Sequence, residues 1–290
     1  MKKLVFGLIA TLAIGFAVNA QESSLTLNEK EPYILYAVND LNHLEPFKSE
    51  LLTIENLRPK NGWYYAGVDA GGAWGWGSAG AALGPLGASA GAVLGGLCTT
   101  TWAFHWENRM APKPVKHPSD DFVNSFTNEN ERCGYLHNKF AEKFINENQA
   151  VYTNANDFLA KFYDPLCEMV ASEYNIKLSD LKKAFPKEAL RAYIDQYTEL
   201  ASYTDDYKTI IQMGEIVKSK SGNEKCSDYY VKVMQSLYSQ SESISFKIEP
   251  FIENEIENVI LSKKFTDEEK NSLRNSLNVL KYSYALWSAN

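Results

Sequence analysis

The sequence predicts an all-α protein: a signal peptide, a glycine- and alanine-rich helical hairpin, and then an irregular multi-helix bundle. Three observations lead there. Beyond Asp120 glycine is scarce, and apolar residues recur at spacings of three and four, the period of a helix with one buried face. Between Trp63 and Trp106 glycine itself recurs every four residues. Near the end, Thr266 with Glu269 forms a capping box ahead of the stripe Leu273, Leu277, Leu280, Tyr284 and Trp287.

The chain opens on Met1-Lys2-Lys3, an apolar run from Leu4 to Val18, and small residues at Val18 and Ala20. This is the three-part pattern of a secretory signal over residues 1–20, with cleavage before Gln21. Gln21 stands where a lipoprotein needs cysteine, so no acyl anchor is expected. The expected destination is the periplasm, the cell envelope or the exterior. Residues 21–62 form an irregular arm broken by Pro32, Pro46 and Pro59.

A net charge of −7, from 29 basic and 36 acidic residues, argues against a nucleic-acid partner. Four scattered histidines and four cysteines without a CxxC pair leave no metal or cofactor set. In an exported chain the cysteines permit two disulfides. Cys133 with Cys226 is the candidate pair, since both precede helical periodicity and lie outside the glycine segment.

Residues 63–106 carry no charge between Asp69 and Glu107. Gly67, Gly71 and Gly75 form one row, Gly80 and Gly84 a second, and Gly87, Gly91 and Gly95 a third. On a helix each row is a groove without side chains, which lets two backbones come close. Gly84-Pro85 interrupts the helical run and predicts a hairpin, with helices over about 64–83 and 86–101. That fold-back puts Trp63, Tyr64 and Tyr65 beside Trp102, Phe104 and Trp106, as in the aromatic belts of membrane interfaces. Asp69 lies just inside this cluster. Its carboxylate either snorkels, titrates, sits solvated in the first turn, or marks a hairpin packed against protein.

These glycine rows with flanking tryptophans resemble the glycine-zipper hairpins of bacteriocin-like and envelope-inserting bacterial proteins. The resemblance covers about residues 63–106 and implies membrane insertion or self-association through the hairpin. The upstream Glu50-Leu51-Leu52-Thr53-Ile54-Glu55-Asn56-Leu57 is similar to a bacteriocin leader, but Asn61-Gly62 stands where such leaders end in Gly-Gly. Gly134-Tyr135-Leu136-His137-Asn138 is similar to an element of exported bacterial proteins of unknown function.

Pro112, Pro114 and Pro118 mark a linker over residues 107–119. The helical domain then runs over 120–290. Leu190, Ile194, Tyr197, Ala201, Thr204, Tyr207 and Ile211 predict one long helix; Tyr230, Met234, Leu237 and Ser241 predict another. Pro165, Pro186 and Pro250 are expected at breaks or in first turns.

Gly87-Ala88-Ser89-Ala90-Gly91 matches the GxSxG pattern, and Gly75 to Gly80 matches GxGxxG, but neither follows a strand, so both reflect composition. With no convergent acid, base and nucleophile, an enzyme is not expected. The expected role is that of an envelope protein whose hairpin enters a membrane or self-associates while its helical domain binds a protein partner. The alternative is a soluble secreted structural or interaction protein with the hairpin packed inside its own fold.

Overall fold

The computed structural model describes residues 62–107, 114–147, 154–200, 203 and 205–290. The signal peptide, the leader-like segment, the arm up to residue 61 and the linker's residues 108–113 lie outside them. Among the described residues every regular element is helical.

Helix α1 (Gly62–Gly80) leads through a 3-10 turn (Ala81–Leu83) into α2 (Gly84–Glu107). Gly84 makes this reversal: its φ of +84° lies in a region a side chain would strain, and its N–H donates to the Ala81 carbonyl. Pro85 follows in the first turn of α2, where its missing N–H has no partner to lose. The tip, with Ala82, Pro85 and Leu86, is exposed. Most of the rest of the hairpin is buried.

The later helices are α3 (Glu129–Glu147), α4 (Ala155–Tyr174), α5 (Leu178–Ala184), α6 (Lys187–Leu200), α7 (Asp206–Ser221), α8 (Glu224–Ser241), α9 (Ile248–Leu261) and α10 (Asp267–Ser288), with a second 3-10 turn over Asp121–Asn124. They form a shell. Helices α7, α8 and α10 pack on α1, while α3, α4, α6 and α10 pack on α2. The hairpin is therefore the hub of the fold, with Trp74, Trp76, Leu94 and Leu97 among its largest buried side chains. Fully burying an aliphatic side chain contributes about 1.5–3 kcal/mol, so this hub is a main source of stability.

Local signals set the helix ends. Thr266 and Glu269 form the capping box reciprocally, and Leu273, Leu277, Leu280 and Trp287 are buried while Tyr284 is half-buried. Asn154 and Asn223 cap α4 and α8 by accepting from the Asp157 and Cys226 amides.

Three expectations need correction. The periodic run from Leu190 to Ile211 is two helices, because Asp205 accepts from the Lys208 N–H and starts α7 afresh. Pro165 lies inside α4; it is exposed, on the side where the carbonyl it leaves unpaired can meet water. Cys133 and Cys226 are not bridged: all four cysteines are free and buried. Cys133 Sγ contacts the Asn130 carbonyl of its own helix and the Asn275 carbonyl of α10, whereas Cys226 lies in the first turn of α8.

The end of the Pro-rich stretch is anchored. Val115 is buried, its N–H donates to Asn146 Oδ1 at 2.8 Å, and its carbonyl accepts from Asn146 Nδ2 at 2.9 Å.

Candidate functional site

The glycine rows divide between two kinds of neighbour. On α2, Gly87, Gly91 and Gly95 face α1: a Cβ on Gly87 would lie 2.5 Å from the Gly80 carbonyl, and on Gly95 2.6 Å from Trp76 Cβ. A Cβ on Gly91 would collide with the Trp76 carbonyl. The answering face of α1 is Gly72, Trp76 and Gly80, and Gly72 has Thr99 and Gly95 against it. Gly72 was not singled out in the sequence rows, although it carries the close approach.

Gly67, Gly71 and Gly75 do not face α2. They face the shell. A Cβ on Gly67 would lie 2.6 Å from Met234 Cε, on Gly75 3.0 Å from the Tyr193 hydroxyl, and on Gly71 against the Tyr197 hydroxyl. The bare backbone lets tyrosine hydroxyls reach main-chain carbonyls. Tyr193 donates to Gly71 O at 2.8 Å and Tyr230 to Gly67 O at 2.7 Å. Gly84 is apart from all three groups, with nothing within reach of its missing side chain.

The aromatic residues gather at the open end of the hairpin, and they too face protein. Tyr65 and Phe104 lie 6.0 Å apart and each is 5.1 Å from Trp287. Trp63 packs on Tyr238, and Trp102 packs on Phe158 while its indole N–H donates to Thr198 at 2.7 Å. Trp63, Tyr64, Tyr65, Trp102 and Phe104 are each at most 8% exposed. In this fold they offer no girdle to a bilayer, because the shell helices cover them. Trp106 lies in the last turns of α2.

Asp69 is the one acidic or basic residue from Gly62 to Trp106 apart from His105, and it is wholly buried. Its Oδ2 accepts from the Trp287 indole N–H at 2.8 Å and from the Ser283 hydroxyl. Its Oδ1 lies 3.0 Å from His137 Nε2, also wholly buried, on α3. Gly96 makes room for that ring: a Cβ there would lie 3.0 Å from His137 Cδ2. On the far side, His137 Nδ1 is 3.2 Å from Asn138 Oδ1, and Asn138 Nδ2 donates to the Tyr282 carbonyl at 2.7 Å.

This chain of bonds fixes one proton. Because the Asn138 amide donates to Tyr282, its oxygen must face His137, so Nδ1 carries a proton. Burial pushes the Asp69 pKa above its ordinary value, against the pull of His137, Ser283 and Trp287. Of the four fates open to Asp69 in the sequence, the structure places it against protein.

The cluster brings together serine, histidine and aspartate, but in the wrong order for nucleophilic catalysis. The serine hydroxyl is on the carboxylate and not on the imidazole, and no member is open to solvent. Ser89 of the GxSxG match lies within α2, 4% exposed, and receives the Asn275 amide at 3.4 Å. It does not stand on a strand-to-helix turn.

Fold and site together define an all-helical protein built round an internal, glycine-lined hairpin with a buried Asp–His pair. No family model, no curated protein and no solved structure matches the chain.

Proposed function

We propose that this chain is a soluble, exported interaction or structural protein whose hairpin serves as its own folding core and not as a membrane anchor. The observation that carries this reading is the Gly67-Gly71-Gly75 row: it receives the hydroxyls of Tyr193 and Tyr230 on its carbonyls. Lipid tails cannot donate such bonds, so release of the hairpin into hydrocarbon would forfeit them. Within Gly62–His105 an 18-residue window reaches a mean hydropathy of 1.5, apolar and long enough to cross a bilayer, but the core helix of a soluble protein meets the same condition. The role left to the molecule is exercised by the surface of its helical shell.

Flotation of the purified mature protein with liposomes tests this. The expected result is protein in the soluble fraction, with the glycine faces protected from hydrogen exchange. Stable co-flotation with exchange protection retained only over residues 62–107 would overturn it in favour of insertion.

A further inference from the structure

The shell has a half-open cleft of about 710 Å³ between the 3-10 turn Asp121–Asn124, the start of α9 and the flank of α10. That volume suits a small organic ligand. On its floor lies Lys281, only 2% exposed. The ammonium has three donors, and Glu131 Oε1, at 3.0 Å, takes one. The Phe122 and Tyr282 rings lie 5.5 and 5.4 Å from Nζ, and Lys281 itself lines the cleft.

Glu131 is itself largely engaged by its own helix start. Its Oε2 is held by the Thr127 amide at 2.8 Å and hydroxyl at 2.6 Å. Burial pushes its pKa up, but the bonds from Thr127 and Lys281 outweigh this and hold it below the ordinary value. Around the cleft stand Asp120, Asp121 and Glu249, without an ion-pair partner among the described residues. Phe126, exposed, and Phe246, half-buried, add apolar wall.

We propose that this cleft binds a short apolar peptide with free termini, its carboxylate on Lys281 and its ammonium among Asp120, Asp121 and Glu249. A simple anion would be repelled by three unpaired carboxylates. A simple cation would satisfy the rim but leave the buried ammonium's donors unmet beside it. A zwitterion with an apolar body answers the floor, the rim and the walls together.

Titration calorimetry on the mature protein with three probes tests the assignment: the dipeptide Leu-Phe, its N-acetyl derivative, and its C-terminal amide. The expected result is saturable one-to-one binding of free Leu-Phe, weakened about tenfold or more by either cap, which is 1.4 kcal/mol or more. Asp121→Asn, at an exposed position, should weaken free Leu-Phe but leave the N-acetyl form unchanged, a difference that a general loss of structure would not produce. Equal binding of all three probes overturns the proposal. So does the absence of saturable binding at millimolar Leu-Phe, or tight binding of the amide alone, which would mark a site for simple cations.

Discussion

Asp69 and His137 are worth more as a pair than either is alone. Each is fully desolvated, and removing one partner leaves the other's polar atoms facing apolar surroundings. Asp69→Ala is expected to destabilise the fold by about 3–5 kcal/mol in urea unfolding, since it strands His137, Ser283 and Trp287 at once. Asp69→Asn should cost far less, about 1 kcal/mol or below, because an amide can accept from Trp287 and Ser283 and donate to Nε2 of a neutral imidazole. Equal losses for the two variants would show that the carboxylate's charge, and not its hydrogen-bonding pattern, holds the cluster. The sequence marked Asp69 as unusual because it is the last acid before a long uncharged run. It could not name the partner, since His137 lies 68 positions away and only the packing of α3 against α2 brings it near.

At the scale of the element, the hairpin itself was legible: period-four glycines, a Gly-Pro interruption, and aromatics at both ends. Which row meets which neighbour was not, because Gly67, Gly71 and Gly75 repeat with the same period as Gly87, Gly91 and Gly95. The direction is set by the bulk between the glycines, with Trp76 wedged against Gly91 and Gly95. This makes alanine scanning informative. Gly91→Ala and Gly95→Ala place a methyl against backbone carbonyls that cannot rotate away, so overpacking of ~1–3 kcal/mol should exceed the helix-propensity gain of nearly 1 kcal/mol. Gly71→Ala meets tyrosine hydroxyls, the movable ends of side chains, and its loss should be smaller. Denaturant midpoints of the three variants check the order. The missed break after α6 has a similar cause: apolar spacing continues from Tyr197 to Ile211, and only the Asp205 cap interrupts it.

Taken whole, the described residues turn a segment with membrane-like composition into the centre of a helical fold, and the thiols record how completely that centre is closed. Cys98, Cys133, Cys167 and Cys226 are all buried, and desolvation pushes each thiol's pKa up, well above the ordinary value for Cys98. The thiolate is the reactive form, so alkylation of the native protein should be negligible and should yield four labels on unfolding, with a rate that follows unfolding. Mass spectrometry after iodoacetamide treatment would show this, and a disulfide would appear as a pair that stays unlabelled until reduced.

Acid provides the other measure of the closed core. His105, near the end of α2, is 7% exposed, and burial lowers its pKa from the ordinary 6.5 to about 4. The unfolded chain therefore takes up a proton that the folded chain refuses between those values. Stability contributed by the neutral ring is present above pH 6.5 and is lost as the pH falls towards 4, a loss of up to about 3 kcal/mol. Asp69 works in the opposite sense: its raised pKa means the folded state gains a proton first, so its carboxylate's cost is relieved on acidification. Asp228, also raised, has the same sign. Glu131 and Glu269 are held low, so their losses fall below pH 4.5, and His117, raised by Glu142, acts above 6.5. Between pH 6.5 and 4.5, urea unfolding should then report His105 against Asp69 and Asp228. His105→Leu is expected to flatten the decline, and Asp69→Asn to steepen it, because that variant removes a compensating group. A decline unchanged in both would place the acid sensitivity of the fold outside the hairpin.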